Sequence, residues 1–240
     1  MPLRAALVDV GGTLWPDGGT IAPPPVETAA RLAAALPGED PALLERLRAA
    51  LEQAVTAYSG ELVQDTDELV GRVAAGLGLH LDGAGALAVR RAMNVPADHL
   101  VRMFADAPEL LRALRGLGLR TVIVSNAYWR DAEAYRRDFE TFGVGGLIDG
   151  VVSSVDLGRR KPDPAMHLAG AAAAGCDPRD CVMIGNVEEK DVLPALTLGM
   201  RALRVSPGAE RAPRSAAGAT VTGLVEAAEV VRRWAADSGG

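Results

Sequence analysis

The sequence predicts an α/β fold in which a parallel sheet, covered by helices on both faces, is interrupted by an all-helical insert. Three observations predict it. A short apolar run from Ala5 to Val10, closed by the pair Gly11-Gly12, reads as a buried strand. From about Glu27 to Met103 apolar residues recur at helical spacing, with no convincing strand among them. Beyond Pro108, short apolar runs alternate with helical segments, the pattern of parallel strands joined by crossover helices.

The elements follow in order. In the insert, Leu43, Leu47, Leu51 and Val55 share one helical face, as do Leu69, Val70 and Val73. Breaks at Pro37-Gly38, Ser59-Gly60 and Gly83 to Gly85 divide this stretch into four helices. Glu109 to Leu117 is then a helix stopped by Gly118, and Arg120 to Val124 a strand. A helix over about Asp131 to Phe142 leads to a short strand near Gly150 to Ser153. Asp163 to Ala174 is helical, Cys181 to Ile184 extended, and Lys190 to Leu198 helical up to Gly199. Arg201 to Val205 and Thr220 to Val221 supply further strands, and Leu224 to Ala235 a last helix, with Asp237 to Gly240 expected to fray.

Composition bounds the chemistry. Of 240 residues, 49% are apolar and only 4% aromatic, so Leu, Val and Ala must fill the core. A net charge of −6 argues against non-specific nucleic-acid binding, which needs a basic surface. An anionic substrate would therefore need a local positive group: a metal, a lysine or helix N-termini. Cys176 and Cys181 stand five apart with no histidine nearby, which reads as two free thiols in a reducing compartment rather than a zinc site. No apolar stretch reaches membrane-spanning length, and the opening segment reads as a strand rather than a secretory leader. A soluble, cytoplasmic protein is expected, and nothing in the sequence speaks to its oligomeric state.

In parallel sheets ligands gather at the carboxyl ends of the strands. The polar residues just past the expected strands are Asp9, Ser125 with Asn126, Lys161 after a loop, and Asn186 with Asp191. Asp9 is a carboxylate on a rigid element, able to attack an electrophile. Lys161 would steady both that carboxylate and a phosphate as a point charge. Asn186 and Asp191 are hard oxygen ligands, suited to Mg²⁺ rather than zinc. Each also has an ordinary structural reading. Ser-Asn is a turn signal, Asp163-Pro164 a helix N-cap and first position, and Asp191 a first-turn acid. Their recurrence after successive strands carries the functional reading.

These residues carry a family resemblance. Asp9-Val10-Gly11-Gly12-Thr13-Leu14 resembles the first motif of the haloacid dehalogenase-like hydrolases. Val122 to Ala127 is similar to the second motif, Arg159 to Pro164 to the third, and Ile184 to Asp191 to the fourth. The resemblance implies a Rossmann-like core over residues 1–17 and 104–240, with a helical cap over 18–103 of the kind carried by the family's first subclass. It also implies that Asp9 forms a covalent aspartyl intermediate, that Ser125 binds the transferred phosphoryl group and that Lys161 stabilises it. Gly12, Thr13 and Asn126 would face the substrate, and Asp9, the Gly11 carbonyl, Asn186 and Asp191 would hold Mg²⁺. Trp15 is expected to pack.

Two positions depart from the pattern. Gly11 stands where most phosphatases of the family have a second Asp, the general acid and base; such help is typically worth about 10²–10⁴-fold. Its absence favours a leaving group of low pKa. Asn186 stands where an Asp is usual, which implies weaker Mg²⁺ binding unless Glu188 or Glu189 compensates. The leading expectation is a Mg²⁺-dependent phosphatase of a small phosphorylated metabolite, its cap closing over the site. One alternative is a 2-haloacid dehalogenase, needing no metal but an arginine from the insert, for which Arg31, Arg46, Arg48 and Arg72 are candidates. Another is a degenerate binding protein. A phosphonate-cleaving variant is set aside, because it needs a cap lysine and the only lysines are Lys161 and Lys190. His80, His99 and Arg130 carry no distinct signal; Arg130 could reach a phosphate or be solvated.

Overall fold

The computed structural model describes residues 2–17, 25–57 and 65–237. Six parallel strands form one sheet: β1 (Ala5–Val8), β2 (Arg120–Ser125), β3 (Gly150–Ser153), β4 (Cys181–Gly185), β5 (Arg201–Val205) and β6 (Ala219–Val221). Their spatial order is β3-β2-β1-β4-β5-β6. The chain runs outward from β1 on one side and then returns to continue from β4 on the other. The crevice at the carboxyl ends of β1 and β4 is thus the switch point, where doubly wound sheets bind ligands.

The alternation along β1 shows why the sheet is covered on both faces. Ala6, Val8 and Val10 belong to one core cluster, together with Leu110, Leu111 and Leu114 of α6 (Ala107–Gly116) and Val230 and Val231 of α11 (Leu224–Asp237). Ala5 and Leu7 face the other way, against Met166 and Ala171 of α9 (Pro164–Ala174) and Ala195 of α10 (Leu193–Thr197). Asp163 caps α9 by accepting from the Ala165 N–H, as its place before Pro164 predicts.

Between β1 and α6 lie α1 (Pro25–Ala35), α2 (Pro41–Ala57), α3 (Thr66–Gly76), α4 (Gly83–Met93) and the one-turn α5 (Ala97–Leu100). Among the described residues four longer helices stand in this stretch, but Gly83 to Gly85, expected as a break, is the first turn of α4, because the Asp82 side chain caps it by accepting the Gly85 N–H. They bury a cluster of their own, with Leu32, Leu47, Leu51, Val70, Val89 and Met93 at its centre. The Ser59-Gly60 break, the boundary placed at residue 18 and the last residues of the expected fray lie outside the described residues. Arg90 of α4 joins this block to the sheet side: it donates to Asp67 on α3, to the Trp129 carbonyl and to Asp131. Asp131 in turn caps α7 (Ala132–Thr141).

Two segments differ from expectation. A one-turn helix, α8 (Ser154–Leu157), follows β3, because the Ser153 hydroxyl accepts the Val155 N–H and Gly158 closes the turn at φ 64°. The helix expected from Lys190 starts instead with a wide π-type turn over Glu188–Val192 before α10. Such turns are rare and cluster at functional sites.

Candidate active site

The strand ends bring Asp9, Lys161 and Asp191 into one buried triad. Asp9 follows β1 and is fixed against β4 by its own N–H, 2.9 Å from the Ile184 carbonyl. Lys161 Nζ lies 2.6 Å from Asp9 Oδ1 and 2.6 Å from Asp191 Oδ1, and all three side chains are buried. Burial pushes the Asp9 carboxyl up; Lys161 opposes this and Asp191 adds to it, leaving the group at about 6 against an ordinary 3.8. Burial also disfavours the Lys161 charge, but Asp191 and Asp9 outweigh it and hold the ammonium above its usual range. One cation between two carboxylates leaves one negative charge in the site. Removing Lys161 would leave two buried anions facing each other, so the lysine is structural as well as chemical.

The first loop is shaped to meet β4. Thr13 Oγ1 donates to Asp9 Oδ2 at 3.1 Å. Gly12 has φ 74°, and a Cβ there would fall 2.1 Å from the Asn186 amide, so only glycine lets the loop and this side chain approach so closely. Gly185 is equally constrained, since a Cβ would overlap the Asp191 carboxyl at 2.4 Å. Asp191 Oδ2 accepts the Val187 N–H. Both oxygens of Asp191 are therefore taken by protein donors, and the residue expected as a second anionic ligand is directed at Lys161.

The Asn186 amide atom nearest the first loop lies 3.1 Å from the Gly11 carbonyl oxygen and 3.2 Å from Asp9 Oδ2. Two arrangements satisfy this spacing. Nδ2 can donate to both oxygens, or Oδ1 can face them with a cation between. Octahedral Mg²⁺ ligands at 2.0–2.1 Å stand about 2.9 Å apart at neighbouring corners. The Asn186 atom stands near that spacing from both the Gly11 and the Asp9 oxygen, so the set fits Mg²⁺, with one charge fewer than an aspartate would supply. Among the described residues no three His, Cys, Asp or Glu side chains cluster as metal ligands.

Ser125 ends β2 with its Oγ 2.7 Å from the Tyr135 hydroxyl, both buried. Sequence reasoning missed Tyr135, whose position on α7 carries no motif. Burial raises its phenol pKa, with Arg130 and Ser125 opposing. Asn126, expected to face the substrate, instead clamps the Lys161 main chain: Nδ2 donates to its carbonyl at 2.9 Å and Oδ1 accepts its N–H at 2.7 Å. An amide matches a peptide group at both ends, and this pairing holds the lysine loop against β2.

Other candidates resolve as structural. Arg130 donates to Asp138 and the Val95 carbonyl. Glu188 is bound by Arg204, Ser215 and the Ala216 N–H, which turns it away from compensating for Asn186. In the insert, Arg31 holds the carbonyls of Arg91, Ala92 and Asn94, Arg48 pairs with Glu45 and Glu52, and Arg72 lies 3.9 Å from Glu68. His99 contacts Glu27. Trp15 packs against Tyr135, Phe139 and Phe142, as expected. Cys176 and Cys181 are free thiols. No helix among the described residues is long and apolar enough to cross a membrane. A second residue escaped the sequence reading: His167 of α9, fully buried, with neither ring nitrogen in a hydrogen bond of good geometry.

Residues 3–199 match the family model described as haloacid dehalogenase-like hydrolase. Two curated relatives are both named glyceraldehyde 3-phosphate phosphatase. The one from Methanothermobacter thermautotrophicus is 30% identical over 48% of this chain, a match spanning only half of that protein's length. The one from Methanopyrus kandleri is 24% identical over 86% of this chain and 85% of its own. Among solved structures, a 2-haloacid dehalogenase from Pseudomonas syringae pv. Tomato DC3000 superposes with a TM-score of 0.64. It covers 97% of this chain and 99% of its own at 21% identity, a likeness of fold.

Proposed function

The chain belongs to the haloacid dehalogenase-like hydrolases, and from that premise we propose that it is a phosphatase of small phosphate monoesters working through a covalent aspartyl-phosphate on Asp9. The observation that carries this reading is the Asp9–Lys161–Asp191 triad, an anionic nucleophile locked at the switch point by a buried cation. The names of the two archaeal relatives support a small phosphorylated metabolite as substrate.

Each residue has a defined task. Asp9 attacks phosphorus; Thr13 and Lys161 hold its two oxygens in place. The Lys161 charge offsets that of the incoming phosphate. Ser125 donates its hydroxyl to a phosphoryl oxygen, and the Gly12 and Thr13 loop closes against it. Asp9, the Gly11 carbonyl and Asn186 would hold Mg²⁺, with Asp191 contributing charge through Lys161. When bound, the ion neutralises repulsion between Asp9 and the phosphate and polarises a phosphoryl oxygen. The helical block of α1 to α5, held to the core through Arg90, would serve as the cap that excludes water and selects the substrate. Phosphate release, with and without metal, tests this reading against an Asp9→Asn variant.

One observation favours a second reading. The Asn186 amide can donate to Asp9 and Gly11 with no cation present, as a metal-independent dehalogenase would require. Against it, Arg31 and Arg48 are committed to their own helical block, far from a free halide-binding role.

A further inference from the structure

Attack on an alkyl phosphate expels an alkoxide, and a positioned acid that protonates it is typically worth about 10²–10⁴-fold. Gly11 has no side chain to do so. Gly11 adjoins the Asp9 carboxylate: its carbonyl oxygen and Asp9 Oδ2 lie 3.1 and 3.2 Å from the same Asn186 amide atom. A Cβ on Gly11 would start from the backbone that borders the Asp9 carboxylate. That space is occupied: Asp17 Oδ1 lies 3.1 Å from the Cβ position and Asp17 Cγ 3.7 Å.

The fold places Asp17 there by closing the first loop. Gly12 N–H donates to the Trp15 carbonyl at 2.7 Å, and Thr13 and Leu14 N–H groups donate to the Val10 carbonyl at 3.0 and 2.8 Å. Gly11 and Trp15 form a β-bridge. Trp15 is anchored in the aromatic cluster, and the Leu14 carbonyl accepts the Phe104 N–H. Asp17, two residues on, then lies against Gly11, its Cα 3.6 Å from the Gly11 Cβ position.

We propose that Asp17 is the general acid and base of this site, supplying from the far side of the loop the carboxyl group that position 11 lacks. The proposal rests on the phosphatase reading and deepens it: the substrate class extends to alkyl phosphates, whose leaving groups need a proton. In the first step an Asp9 oxygen bonds to phosphorus and the ester P–O bond breaks. Its electron pair stays with the leaving oxygen, which takes the Asp17 proton and departs as a neutral alcohol. In the second, water bonds to phosphorus as the Asp17 carboxylate takes one of its protons. The P–O bond to Asp9 breaks, releasing phosphate and restoring both carboxyl groups. Placing the carboxyl beyond the loop also frees Gly11 to let the chain close tightly.

The experiment compares wild type, Asp17→Asn and Asp9→Asn full-length protein with Mg²⁺, on glycerol 3-phosphate and on p-nitrophenyl phosphate. Asp17→Asn should lose about 10²–10⁴-fold on the alkyl ester. On the aryl ester, whose leaving group needs no proton, it should give a near-normal burst of p-nitrophenol followed by slow turnover, with phosphoenzyme visible by intact mass. Gly11→Asp in an Asp17→Ala background should restore alkyl turnover, because Gly11 lies outside the positive-φ glycines and can carry a side chain. Unchanged alkyl turnover in Asp17→Asn, or an equal loss of the first step on both esters, overturns the assignment while leaving the phosphatase intact. An inactive wild type removes the phosphatase reading itself, and this one with it.

Discussion

The Tyr135 hydroxyl lies 2.7 Å from Ser125 Oγ, a buried pair at the end of β2 in which either oxygen can donate. When the phenol donates, the serine's own proton is left for a phosphoryl oxygen. Tyr135→Phe should lower kcat/KM by about 3–10-fold, the worth of one neutral hydrogen bond. In a Ser125→Ala background the same change should have almost no further effect. Additive losses in that double-mutant cycle would show that Tyr135 acts independently of Ser125.

Asn186 sets the charge of the metal site. Asn186→Asp should tighten Mg²⁺ binding by about tenfold or more, read by titration calorimetry, because an anionic oxygen replaces a neutral one. Without metal the same variant should be less stable, since the new carboxylate would stand near 3.2 Å from Asp9 Oδ2. A Mg²⁺ affinity unchanged by this substitution would place the ion elsewhere.

His167 makes stability depend on pH. Burial first, and then the Lys161 charge, lower its pKa to about 4, below the ordinary 6.5. The unfolded chain therefore binds a proton that the folded one refuses between these values. This contribution favours the folded state above about pH 6.5 and is lost as pH falls toward about 4. Relative to pH 7.5, wild type at pH 5 should lose on the order of 1–2 kcal/mol more than His167→Leu. Equal losses for the two proteins in denaturant melts would mean that the imidazolium finds a hydrogen-bond acceptor in the folded state.

Most of the fold and part of the site were legible in the sequence, for physical reasons. A buried parallel strand is a short apolar run, and such runs marked β1, β2, β4 and β5 within a residue or two. Asp9, Ser125, Lys161 and Asn186 with Asp191 were singled out as polar residues just past expected strands, Lys161 after a loop, and the fold gathers Asp9, Lys161 and Asp191 in one triad. What escaped depends on pairings remote in sequence. Asn126 turned from ligand contact to a clamp on Lys161, 35 residues away, and Arg130 to a partner of Asp138. Tyr135 reads locally as an ordinary helix residue; only the packing of α7 on the sheet brings it to Ser125. Asp17 reads locally as a turn residue, and only the closure of Gly12 on Trp15 sets it over Gly11.

The central claim is that Asp9 is a nucleophile toward phosphorus with Mg²⁺ at its side. Phosphate release from a panel of small phosphate esters, with Mg²⁺ and with EDTA, tests it most directly when wild type is set beside Asp9→Asn. The account predicts metal-dependent release from wild type, abolished by EDTA and absent from Asp9→Asn. No release from any ester, or release that survives loss of the Asp9 carboxylate, would contradict it.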